Sequence, residues 1–508
     1  MRNFTLLLVL FLLWGCSVNP VTGERQLILA SPQQELQMGE QAYVPSQQSQ
    51  GGVYDVDPAL NAYVSRVGQK IAAYSDNPLP YEFVVLNNSI PNAWALPGGK
   101  IAINRGLLTE MNSEAELAAV LGHEIVHAAA RHSAQQMTRG MLTQILVVGT
   151  AVATSDSDYG DLAIGGATLG SQAFLARYGR SAELESDEYG MKYMRAAGYD
   201  PSGAVQLQET FVRLSEGRRT DWLSGLFASH PPSRERVQAN VATAATLPPG
   251  GELGVERYEA ALKRTRQLEP AYKLYDEGRK ALAEKRYDEA VAKAEGAINL
   301  FNGEAHFHSL RGDVRLVQKN YDWAVTNYTR AIERRSEFFY YHLQRGLARN
   351  ELGQKDAAVA DLERANSLLP TAPAHYVLGT IAEERGNRGR AIEHFRTVAS
   401  SDRGEYGKAA STRLVRLDLA DNPGNYIKRG CSADNNGNLI VQVRNDAPIA
   451  VRNIEIAVTV GSGGTARDIL QRIRGPIASG QIAGVNTGLG PYTGGNCPAR
   501  ITRAEVAE

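Results

Sequence analysis

From Leu117 to Ala130 the chain is almost wholly Ala, Leu, Val and Ile, and the exceptions are Gly122, His123, Glu124 and His127. A helix of that composition is apolar nearly all round, so it belongs at the centre of a domain and not on its surface. Polar side chains buried with it need partners. At about 3.6 residues per turn, His123 and His127 stack on one face, with Glu124 roughly 100° further round. Two imidazoles and a carboxylate at His-Glu-x-x-His spacing let one helix bind a metal and place a base beside its open position. The competing reading is an ordinary amphipathic helix with two surface histidines. Upstream, Asn112-Ser113-Glu114-Ala115-Glu116 predicts the helix start, with Ser113 accepting from the Glu116 amide and Glu116 reaching back.

A catalytic zinc needs a third protein ligand and keeps its fourth position for water. The metzincin pattern wants Gly and His at the places held by Ala130 and Ser133, and His132 is one residue out of register. The other pattern takes a Glu from a later helix, and Ser181-Ala182-Glu183-Leu184-Glu185-Ser186-Asp187-Glu188 offers one. Glu183 and Asp187 stand one turn apart, so Glu183 can bind the metal while Asp187 accepts the spare N–H of a ligand histidine. A solvated acidic helix face is the bland alternative.

With Asn92-Ala93-Trp94-Ala95-Leu96-Pro97-Gly98-Gly99-Lys100-Ile101 before these motifs and Ser229-His230-Pro231-Pro232-Ser233-Arg234-Glu235-Arg236 after them, the chain resembles the gluzincin peptidases. That is the family of HtpX, the CAAX prenyl endopeptidase and the BepA-like periplasmic zinc metalloproteases. Trp94 stands where Phe is common, and Ser186 replaces a common Ala. The resemblance implies one Zn2+ per chain held by His123, His127 and Glu183, with Glu124 as general base and Asp187 behind a ligand. Such a metal acidifies a water and polarises a carbonyl, and a developing oxyanion would take a donor from His230 or Arg236. For His230 the resemblance also implies a latch that closes the metal in place of water. Asn92, Ala93, Trp94, Ala95 and Leu96 are expected to form an edge strand that binds substrate backbone, or else a buried structural strand.

The start of the chain reads as a leader over 1–15, with Arg2, an apolar run from Phe4 to Trp14, and Leu13-Trp14-Gly15-Cys16 resembling a lipobox. Lipidation at Cys16 and, from Ser17, the periplasmic side of an outer membrane are the expectation; an unlipidated leader is the alternative. Cys431 and Cys497 are then an even pair, expected to bridge in an oxidising compartment. A net charge of −1 argues against a nucleic-acid surface. Met141 to Thr154 is too short to span a bilayer and is expected as a hairpin or lid; Gly165 to Gly170 lacks the Lys of a phosphate loop.

Beyond Pro248-Pro249-Gly250-Gly251 the pattern changes. Glycines 278, 312, 346 and 379 recur at steps of 34, 34 and 33, each followed twelve residues later by Ala290, Ala324, Ala358 or Ala391. This resembles tetratricopeptide repeats, which stack helix pairs into a solenoid. Tyr340, Tyr341, His342 and Arg345 are candidates for its partner-binding face. Asn438–Asn445 and Ile454–Val460 alternate with period two, and Cys431 and Cys497 bracket them. The expected architecture is multidomain: a linker over 16–50, a mainly α zincin-like metalloprotease with a small sheet over 51–247, a linker over 248–270, an α-solenoid over 271–420, and a β-sandwich-like domain over 425–508. The expected function is an envelope-anchored endopeptidase acting on unfolded or misassembled proteins recruited by the repeats, with outer-membrane assembly machinery a further partner. The alternative is a chaperone or assembly scaffold working through the repeats.

Overall fold

A computed structural model describes residues 16–139, 178–217, 230–461 and 466–507. The predicted leader over 1–15, the Met141–Thr154 stretch, the glycine run at 165–170 and Ser229 lie outside the described residues. The chain divides into two compact units, Met1–Tyr341 and His342–Glu508. No helix of the described residues is long and apolar enough to cross a membrane.

Residues 16–50, expected as a linker, are folded. Strands β1 (Cys16–Val18) and β2 (Arg25–Leu27) pair antiparallel, and α1 (Pro32–Ser49) follows. The run is rich in Gln and Ser and carries Pro45, so it lacks an apolar stripe. Its helix starts instead from a capping box, with Ser31 and Gln34 each bonding the other's backbone N–H. It packs Tyr43 edge-on against Trp94, ring centroids 6.4 Å apart.

Helix α2 (Pro58–Ala72) leads to the small sheet. Its strands β3 (Glu82–Leu86), β4 (Ala93–Leu96) and β5 (Lys100–Asn104) run in the order β3-β5-β4, with β3 parallel and β4 antiparallel to β5. The Pro97-Gly98-Gly99 break is the β4–β5 turn, where Gly98 (φ 79°) and Gly99 (φ 83°) take a left-handed backbone that other residues adopt at a cost. β4 is therefore an edge strand of this sheet, and all four of its residues are buried. After the short α3 (Arg105–Glu110) comes α4 (Glu114–Ala129), every residue of which is buried. Ser113 accepts from the Glu116 amide (3.1 Å), while the Glu116 carboxylate reaches one residue past it to the Asn112 amide (3.3 Å). Against it pack α5 (Arg180–Ala196) and α6 (Ser202–Gly217), and α7 (Arg234–Thr246) packs on those two.

Residues 248–270, also expected as a linker, run mostly into α8 (Val255–Ala283). Tyr258 and Leu262 on this helix are buried in the core that surrounds α4, and the Tyr258 hydroxyl donates to the Leu108 carbonyl at 2.6 Å. Helical hairpins follow: α8 with α9 (Tyr287–Leu300), then α10 (Ala305–Val317) with α11 (Tyr321–Arg334) in the first unit. Helices α12 (Phe339–Glu351), α13 (Lys355–Leu368), α14 (Ala372–Glu384), α15 (Arg388–Ser401) and α16 (Glu405–Asp418) continue the chain. The periodic glycines have a packing cause. A Cβ on Gly312, Gly346 or Gly379 would lie 2.8 Å from Tyr328, 2.8 Å from Leu362 or 2.9 Å from Phe395, large side chains of the partner helix. The matching alanines, 290, 324, 358 and 391, are wholly buried.

The residues proposed for the solenoid face are mostly interior. Tyr341 is fully buried with its hydroxyl against His306, and His342 is buried; Arg345 grips the Asp361 carboxylate at 2.8 and 2.7 Å. Tyr340 gives its hydroxyl to the buried Asp313 carboxylate at 3.1 Å. Aromatic and charged residues at repeat positions looked exposed because periodicity alone does not separate the inner helix face from the outer one.

At the C-terminus, β6 (Ile427–Ala433), β7 (Leu439–Asn445), β8 (Val451–Val460), β9 (Arg467–Ile473), β10 (Ile482–Asn486) and β11 (Ala499–Val506) form two three-stranded antiparallel sheets, β10-β7-β6 and β11-β8-β9. Alternate residues Leu439, Val441 and Val443 of β7 enter a core shared with Val415 and Leu419 at the end of α16. A disulfide joins Cys431 and Cys497.

Candidate metal centre

Helices α4 and α5 approach as closely as backbones allow. A Cβ on Gly122 would lie 2.8 Å from the Gly190 carbonyl oxygen, and one on Gly190 would lie 2.8 Å from Gly122 C and His123 N. This contact, one residue before His123 and three after Asp187, brings the two motifs together. Neither glycine carried a signal in the sequence, where a lone Gly in a helix reads only as lost propensity.

Ligand atoms of His123, His127, Glu183 and His230, all buried, lie within 4.8 Å of one another. The two Nε2 atoms of His123 and His127 are 3.0 Å apart. Glu183 sits 3.5 Å from His123 Nε2 through Oε2 and 3.4 Å from His127 Nε2 through Oε1. The Nδ1 of His123 faces Asp187 Oδ1 at 2.9 Å; as a carboxylate accepts, the ring carries a proton there and turns Nε2 toward the cluster as the atom a metal would bind. Two ring nitrogens and a carboxylate converging in a buried space call for positive charge between them, a metal ion or a proton on the rings. The donor set, two or three imidazoles and one carboxylate, suits a borderline divalent metal.

His230 stands among the donors, its Nδ1 at 3.0 and 3.2 Å from the Glu183 oxygens and 3.3 Å from His123 Nε2. Its Nε2 is 3.6 Å from Glu124 Oε1. The other carboxylate oxygen of Glu124, Oε2, is buried without a hydrogen-bond partner among the described residues. Arg236, the alternative to His230 as oxyanion donor, has its guanidinium bound to two carboxylates of α5. It grips Asp187 through Nε and Nη2, both at 2.7 Å, and Nη1 reaches Glu183 Oε2 at 3.0 Å and the Pro231 carbonyl at 3.3 Å. Ser233 caps the start of α7 by accepting from the Arg236 amide at 3.1 Å, so Arg236 stands in the first turn of that helix. His132, one residue out of register for a ligand, lies behind His127, the two Nδ1 atoms 2.9 Å apart. Tyr178 stacks on the His127 ring with centroids 3.9 Å apart.

The electrostatics favour positive charge here. Burial opposes charging His123, yet the Asp187 and Glu183 carboxylates hold its pKa up to about 10. Burial works to raise Glu183, but the attraction of His230 and hydrogen bonds from the three histidines keep it far below the usual carboxylate range. Burial pushes Glu124 up, against the pull of His230 and His123. An apolar pocket lined by Leu107, Val120, Leu207 and Phe211 adjoins Glu124 and His230, and Ala93 of β4 reaches the same space.

A histidine pair on one helix, a glutamate from a second and a carboxylate behind the first histidine define a metallopeptidase-like centre of the gluzincin kind. Residues 58–244 match the family model described as peptidase family M48, and the chain belongs to that family. It is 32% identical over 186 residues to the metalloprotease YcaL of Escherichia coli (strain K12), covering 34% of this chain and 68% of that protein. It is also 32% identical over 200 residues to a putative beta-barrel assembly-enhancing protease of Vibrio cholerae, covering 38% of this chain and 41% of that one. The match thus spans less than half of the latter's length. Residues 267–420 match a model described as a bacterial transcriptional activator domain. Among solved structures, YrrB, a TPR protein with an unusual peptide-binding site, aligns with a TM-score of 0.27 at 19% identity, over 32% of this chain and 81% of that one.

Proposed function

We propose that this chain is a zinc-dependent endopeptidase that acts on unfolded or misassembled proteins of the bacterial envelope. The observation that carries the reading is the convergence of His123, His127 and Glu183 beside Glu124, whose Oε2 is free to take a proton. A zinc ion held by these three ligands would acidify a water and polarise the scissile carbonyl. Glu124 accepts the proton of the attacking water and returns it to the leaving amine. Asp187, held by Arg236, keeps the His123 ring in its ligand tautomer. The edge strand β4 aligns substrate backbone across the cleft, with Asn92, Ala93, Trp94, Ala95 and Leu96 supplying that edge. His230, placed as a fourth donor, holds the site closed. Its position within 3.3 Å of His123 Nε2 supports a latch over an oxyanion donor.

The helical hairpins bring clients to the site, a reading supported by relatives named as proteases that enhance beta-barrel assembly. Lipidation at Cys16 would tether the enzyme to the periplasmic side of the outer membrane, and the two C-terminal sheets are read as a small sandwich. Expressing a Glu124→Gln variant in cells and identifying by mass spectrometry what it retains tests the substrate class. Enrichment of envelope proteins supports the reading, and a variant that restores envelope function as fully as wild type would favour the chaperone or scaffold alternative.

A further inference from the structure

The two ligand histidines of α4 are supported differently. His123 rests directly on a carboxylate, that of Asp187, whereas among the described residues His127 has another imidazole, His132, against its Nδ1 at 2.9 Å. The far nitrogen of His132, Nε2, is 3.4 Å from Glu185 Oε1. Glu185 Oε1 accepts in turn from the side-chain amide of Asn19 at 2.7 Å. Asn19 cannot turn its amide the other way without loss, because its Oδ1 accepts from the Val21 amide at 2.9 Å and organises the turn between β1 and β2. The proton positions follow. Glu185 only accepts, so His132 carries its proton on Nε2; its Nδ1 is then bare and accepts from His127 Nδ1–H. That makes His127 Nε2 the nitrogen offered to a metal, the orientation that Asp187 imposes on the His123 ring.

The same N-terminal segment also clamps the turn that carries His132. Arg131 adopts a left-handed backbone (φ 63°) and gives its guanidinium to Ser17 Oγ at 2.5 Å, to the Ala30 carbonyl at 3.0 Å and to Glu35 at 2.9 Å. Gln26 of β2 donates to the Ala130 carbonyl at 3.3 Å. Asn19 and His132 are buried and Glu185 is partly exposed, in a chain of contacts that joins residues 166 positions apart.

We propose that Asn19, Glu185 and His132 form a positioning relay that fixes the tautomer and ring orientation of His127, making the segment after Cys16 a working part of the metal centre. The inference rests on the metal-centre reading above. It is tested on the full chain by competing zinc against a chelator of known affinity and reading the Kd of wild type, Asn19→Ala, His132→Ala and the double variant. Metal-free thermal midpoints are measured alongside. The relay requires roughly 10- to 100-fold weaker zinc binding for His132→Ala, a smaller loss for Asn19→Ala, and no additional loss in the double variant. His132→Asn, which restores an acceptor near the Nδ1 position, should recover part of the affinity and no longer respond to Asn19→Ala. Should His132→Ala not fold, the His132→Asn and Asn19→Ala pair gives the same cycle. Lower thermal midpoints with unchanged zinc Kd, or losses that simply add, overturn the relay. Failure of wild type to bind zinc overturns the metal-centre reading instead.

Discussion

Gly122 and Gly190 meet backbone to backbone, and this contact sets the distance between the helix that carries His123 and His127 and the helix that carries Glu183 and Asp187. A methyl group at position 190 would press on main-chain atoms of Gly122 and His123, which cannot swing aside as a side chain can. Gly190→Ala is expected to cost about 1–3 kcal/mol of stability and to weaken zinc binding as the carboxylates draw back. Gly389→Ala is the control: a Cβ there, on α15, would have no atom of the described residues within 4 Å, so it should leave zinc affinity unchanged. Thermal unfolding and zinc titration of both variants check this.

Asp187→Asn keeps the shape of the side chain but removes the charge that holds His123 and Arg236. A zinc affinity about 10- to 100-fold weaker is expected, with the fold retained. Chelator competition followed by circular dichroism separates this from general unfolding.

His230→Ala is expected to raise peptidase activity while leaving one zinc bound. A latch closed for about nine-tenths of the time limits activity about tenfold, which sets the size of the rise in kcat/KM. A collapse of activity would instead assign His230 to oxyanion support.

The buried Asp313 carboxylate is a pH-dependent element of the repeats. Burial raises its pKa to about 6 from an ordinary 3.8, against Arg279 and the hydroxyls of Tyr328 and Tyr340. The folded pKa lies above the unfolded one, so the protonated acid is favoured by folding. Its stabilising contribution is complete below the unfolded pKa and is lost as pH rises through about 6. Over that window wild type should lose about 3 kcal/mol relative to Asp313→Asn. Urea unfolding of both proteins from pH 4 to pH 7 reads the difference.

Parts of this molecule are legible from local pattern and parts are not. The His-Glu-x-x-His helix, its Ser113 cap and the glycine–alanine period each rest on a spacing that one helix imposes, so they can be read without tertiary information. Glu183 and Asp187 needed only the i, i+4 rule once a third ligand was sought. The contacts that complete the centre have no such period. Asn19 and Glu185 are separated by 166 positions, and His132 looked idle because a linear register test asks only whether a residue reaches the metal, not whether it stands behind a ligand. Residues 16–50 looked like a linker because Gln and Ser replace an apolar stripe, while caps and the Arg131 clamp hold them in place.

The most direct test of the metal centre as a peptidase site compares wild type with Glu124→Gln on an unfolded protein substrate at one equivalent of zinc. Glu124 binds no metal in this account, so the variant should retain zinc with wild-type affinity and lose about 10²- to 10⁴-fold in cleavage rate. Equal cleavage by the two proteins would contradict it.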